Sequence, residues 1–75
     1  MKTQAILDQS IRIHAYCDMI HTNQKRIRQY YADIRVFADF GISEHYRDKA
    51  KRAERLDVYL QVRLTKAIKE LNSLL

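Results

Sequence analysis

Three side chains with metal-ligand chemistry cluster in the first third of the chain: His14, Cys17 and His21, with Asp18 four residues after His14. Imidazole, thiolate and carboxylate are all zinc donors, and this spacing puts them on one side of a helix. The set is incomplete. Residues seven apart rise about 10.5 Å along a helix, so the two histidines would have to lean toward each other to share an ion. The stretch expected to face them offers Gln61, Thr65 and Lys66, which do not complete a four-ligand zinc site. The expectation is therefore no metal and no cofactor, with Cys17 a small semi-buried residue and the histidines surface or interface groups. No Ser/His/acid or Cys/His pairing has a structural motif around it, so an enzyme is not expected.

A second chemistry is basic. Lys25, Arg26 and Arg28 form one run, and the stretch from Arg47 to Arg55 contributes Arg47, Lys51, Arg52 and Arg55. Cations at such density can hold phosphate groups, aided by exposed tyrosine rings. Acids dilute them: the same half of the chain carries nine bases and six acids, among them Asp33, Asp48, Glu54 and Asp57, and no recognition motif of a nucleic-acid fold is present. The whole chain has 14 bases and 9 acids for a net charge of +5, which permits an acidic partner without naming one.

A third is apolar and aromatic. Tyr16, Tyr30 and Tyr46 recur at positions suited to core packing, whereas Tyr31 and Tyr59 lie beside them and, with Val58 and Val62, form the expected partner-binding set.

The elements that must carry these groups are helical. Isoleucine recurs at Ile6, Ile13, Ile20, Ile27 and Ile34, a seven-residue step that keeps one side of a helix facing a partner helix. With isoleucine at heptad position a, position d reads Gln9, Tyr16, Asn23, Tyr30 and Phe37. Thr22-Asn23-Gln24 is the weak point, since Asn23 could cap a new helix, but the isoleucine step passes through it unshifted and predicts one continuous helix. The chain has no Pro and one Gly, so Gly41 is the expected turn, with Phe37 and Ile42 flanking a Schellman ending and Thr3 and Ser43 as N-caps. The second helix steps through Tyr46, Ala53, Leu60, Ala67 and Leu74, widened by Leu56, Leu64 and Leu71.

The reading is an all-α fold: an antiparallel helical hairpin of two long helices in a single domain, residues 1–75. Helix 1 spans about 4–39, the turn 40–43 and helix 2 about 44–73. Ala50 and Ala53 should leave room for Tyr30, Tyr31 and Phe37. The seam of the core and of the oligomer would comprise the five isoleucines with Leu60, Leu64 and Leu71. Two helices cannot surround a core, and Leu7, Ile11, Val36, Val58, Val62 and Ile68 lie off the seam, so the hairpin is expected to assemble into a four-helix bundle or higher oligomer.

No run reaches the length of a membrane span and the first residues lack a signal-peptide pattern, which predicts a cytoplasmic protein with no membrane contact. The expected function is a small non-enzymatic protein-interaction module, a self-associating hairpin that binds and regulates or inhibits a partner protein. The alternatives are a basic hairpin oligomer binding nucleic acid and, after that, a small anionic ligand held at a subunit interface.

Overall fold

A computed structural model describes residues 2–38, 41 and 43–75. Two helices account for nearly all of them, α1 over Lys2–Val36 and α2 over Ser43–Leu74. They lie side by side in a rod of 59 × 14 × 11 Å. α1 runs through Thr22-Asn23-Gln24 without a break.

Two hydrogen bonds fix the antiparallel register. Asn23 Nδ2 donates to the Ala53 carbonyl at 2.7 Å, and Gln9 Nε2 donates to the Ala67 carbonyl at 2.8 Å. Moving fourteen residues down α1 thus moves fourteen up α2. The same register sets Tyr16 level with Leu60 and Tyr30 level with Tyr46, so the d line of α1 meets the Tyr46-to-Leu74 line of α2. Ile6, Ile13, Ile20 and Ile27 come within one residue of the height of Leu71, Leu64, Asp57 and Ala50, to one edge of that contact.

Within one hairpin the expected seam is buried only in part. Among the described residues the buried apolar set is Ile34, Ala50, Ala53, Leu60 and Ala67, joined by buried Gln9 and Asn23. Ile6, Ile13, Ile20 and Ile27, like Leu64 and Leu71, are only half-buried. The reason is steric: alanine at positions 53 and 67 brings the backbones close, so the centre of the contact is filled by short amides reaching a carbonyl, and the bulkier isoleucines are displaced to its flank. Leu71 and Leu74 are half-buried at the open end, while Leu7, Ile11 and Leu75 stay exposed.

The boundaries differ from expectation. Lys2 is already helical, which places Thr3 inside the first turn rather than at its cap. At the other end the α-helix stops at Val36 instead of about 39; the Phe37 amide still bonds to the Asp33 carbonyl at 2.9 Å, and Ala38 lies in a 3₁₀ turn. Tightening of a last turn in this way is common where carbonyls run out of amides. Gly41 has φ +74°, the left-handed conformation expected of it. Ile42, its proposed Schellman partner, lies outside the described residues, as do Asp39 and Phe40. Phe37 stacks on Tyr46 across the turn, centroids 5.6 Å apart and planes 14° apart. Tyr31 does not nest against the alanines but is exposed. Ser43 opens α2, with Glu44 in the first turn where its charge suits the helix dipole.

Candidate interaction surfaces

With one side of α2 against α1, residues half a turn away must face outward. Val58, Gln61, Val62, Thr65, Lys66 and Lys69 follow helical spacing along that outward stripe and line a shallow depression of about 490 Å³. Val58 and Val62 are 64% and 62% exposed. Tyr59 is exposed beside them, with the Arg63 guanidinium 5.7 Å from its ring centroid. Arg63 is held still more firmly protonated than usual, first by a hydrogen bond to Tyr16 and then by the nearby Tyr59.

Tyr31 of the same expected set stands on α1, where its hydroxyl donates to the Glu54 carboxylate. That bond raises the phenol's pKa, because ionisation would lose the donor and set two negative charges together; partial desolvation adds to it. All four expected partner-binding residues are therefore exposed, but Val58 and Val62 alone share one concave surface.

The expected basic patch is divided. Arg26 and Arg52 meet in a depression of about 250 Å³ with Tyr30 and Lys49. Arg47 and Lys51 line a separate one of about 410 Å³ with Tyr31 and Ile34. Lys25, Arg28 and Arg55 are exposed and line neither. Helical geometry explains the split, since residues 47, 51 and 55 follow one side of α2 and residues 49 and 52 follow the other.

Among the described residues no group of three or more His, Cys, Asp and Glu side chains converges as a metal would require. His14 Nε2 lies 3.8 Å from Asp18 Oδ2, and Cys17 is a free, exposed thiol rather than the semi-buried residue expected. No described helix is long and apolar enough to cross a membrane.

Sequence reasoning missed how the acids are occupied. Asp8 accepts from Gln4, Asp33 from Gln29, Asp57 from Gln61 and Gln24, Glu70 from Gln9, and Glu54 from Tyr31. Neutral donors hold the carboxylates. Among the described residues the one ion pair within 4.0 Å is His14–Asp18, so the lysines and arginines there have no carboxylate that close. For Asp8, Asp33 and Asp57 a glutamine four residues away was the available signal; the bonds from Gln9, Gln24 and Tyr31 cross between the helices and had none.

Comparison with known protein families, curated proteins and solved structures finds no match to this chain.

Proposed function

We propose that the hairpin is a non-enzymatic protein-interaction module that associates with itself along its isoleucine edge and binds a partner protein through the outward stripe of α2. The observation that carries the partner reading is the pair Val58 and Val62, both more than half exposed in one depression. Apolar side chains gathered in a concave surface with a polar rim, here Gln61, Thr65, Lys66 and Lys69, have the composition of a protein-binding patch.

Self-association rests on the isoleucine edge. Ile6, Ile13, Ile20 and Ile27 are half-covered within the hairpin, and Leu64 and Leu71 share their side. A rod face of 59 by 14 Å offers about 800 Å², close to what each partner buries in a standard protein interface. A second hairpin laid there completes a four-helix bundle and leaves the α2 stripe free.

Affinity capture from the native host with immobilised hairpin, run with and without nuclease and with Val62→Asp in parallel, tests the reading. A salt-tolerant protein that survives nuclease and is lost with Val62→Asp is the expected result. Capture unaffected by that substitution refutes the assigned surface.

A further inference from the structure

The side of the hairpin opposite the isoleucine edge carries a repeat that spans both helices. Arg12, Arg63 and Lys66 line one depression with Tyr16 and Glu70. Arg26, Lys49 and Arg52 line another with Tyr30 and Leu56. Every cation in the first cluster has a counterpart fourteen residues away in the second: Arg12 with Arg26, Lys66 with Arg52, and Arg63 with Lys49. The buried amides Gln9 and Asn23 and the tyrosines Tyr16 and Tyr30 repeat at the same step. Fourteen residues are four turns, so each cluster repeats on the same face about 21 Å along the rod. Met19, Leu56 and Leu60, with the carboxylate of Asp18 beside them, line the depression between the clusters.

Two features make this side receptive to an anion. Among the described residues none of the six cations has a carboxylate within 4.0 Å; of the acids that line these depressions, Glu70 is held by Gln9 and Asp18 lies 3.8 Å from His14. Lys49 rests 5.8 Å from the Tyr46 ring centroid, a contact that leaves its charge available. The first cluster borders the surface assigned to the protein partner at two points, Lys66, which lines both depressions, and Arg63, which lies over the Tyr59 ring; the second cluster does not touch it.

We infer that this side binds the phosphate backbone of a double-helical nucleic acid, one cluster at each of two positions along it. A rigid row of arginine forks suits phosphate oxygens, which accept two parallel hydrogen bonds. Two clusters about 21 Å apart can each meet backbone phosphates at a separate position on the side of a duplex that faces the rod. A stacked duplex is favoured over single strands because unpaired bases need exposed rings to stack on. Here Tyr16 and Tyr30 are half-buried, Tyr46 already stacks on Phe37, and the exposed Tyr59 ring has Arg63 over it. Contact limited to phosphates makes the binding independent of base sequence.

The test measures affinity of the full chain for 24-base-pair DNA and RNA duplexes between 50 and 200 mM salt. Six phosphate contacts give a log–log slope of about −5 and about a 10³-fold loss of affinity over that range. Arg26→Gln with Arg52→Gln, and separately Arg12→Gln with Arg63→Gln, should each reduce the slope by about 2. Arg47→Gln with Lys51→Gln, on the other side, should leave it unchanged, as should Val62→Ser, which removes the apolar contact without placing a charge beside Lys66 and so separates this inference from the protein-partner reading. Circular dichroism confirms that each variant remains helical. Equal flattening by the Arg47/Lys51 pair, tighter binding to single strands, or equal affinity for polyglutamate would each overturn the assignment, and a duplex of either sugar showing the cluster-dependent slope supports it.

Discussion

Asn23 is 3% exposed and donates to the Ala53 carbonyl at 2.7 Å, which makes it the sharpest place to perturb the seam. In Asn23→Ala the lost hydrogen bond costs about 1 kcal/mol. The space vacated by three heavy atoms, on the order of 40 Å³, costs about 1 kcal/mol more. Alanine's better helix propensity returns about 0.6 kcal/mol. The net expectation is a destabilisation of about 1 to 1.5 kcal/mol. Two companions isolate the cause. Asn23→Leu fills the space, and because the Ala53 carbonyl keeps its own helical bond, stability should be near that of the parent. Asn23→Asp faces a carboxylate toward that carbonyl in a dry site, so it should be the worst of the three at neutral pH. Its folded-state pKa would be raised above the unfolded value, so its penalty should shrink as pH falls through the folded pKa and the carboxyl regains a proton to donate. Urea denaturation followed by circular dichroism, with exposed Thr22→Ala as the control for propensity, measures all four. An Asn23→Ala variant as stable as Thr22→Ala would refute the role assigned to the amide.

Three further outcomes are expected. Ile20→Asp puts a charge on the isoleucine edge and should dissociate or unfold the assembly, read by sedimentation at micromolar concentration as loss of species at twice the 9.0 kDa chain mass or more; a monomeric parent would refute the bundle. Asp57→Leu should strengthen self-association, because Asp57 is a half-buried acid one heptad from Leu64 on the line that flanks the seam and its partners Gln24 and Gln61 can turn to water; weaker association would show that the acid itself takes part in the contact. Gly41→Val should cost about 1 kcal/mol or more, since a β-branched residue fits poorly at positive φ. No atom crowds the site within 4 Å, so an unchanged melting temperature would deny the backbone strain directly.

The hairpin itself was legible because its signals are redundant. Five isoleucines at one phase, a single glycine and a second line through Ala53, Leu60 and Ala67 all require two long antiparallel helices. The centre of the seam was not legible, since hydrophobic pattern ranks Ile20 above Asn23, whereas close approach at alanine rewards a short donor over a large hydrocarbon. The cation clusters were hidden for a different reason. Local runs such as Lys25-Arg26 stand out along the chain, but Arg12 and Lys66 are 54 residues apart in sequence and meet only when the register is known. The position of Tyr31 likewise depended on Glu54, a partner on the other helix that spacing within α1 cannot supply.

The amide bonds from Gln9 and Asn23 also change what the turn has to do. Register in a hairpin is often imposed by the connection, but here it is specified at two places far from it, in contacts that close loops of 58 and 30 residues. The connection then acts as a tether that supplies effective concentration, and doubling its length should cost only about 0.6 kcal/mol of closure entropy. Inserting a few flexible residues beside Gly41 should accordingly leave the pairing of the helices intact. Lengthened further, the same tether would let α1 of one chain close on α2 of another in an unchanged alignment, so exchange of whole helices between copies becomes a matter of linker length and protein concentration rather than of new contacts.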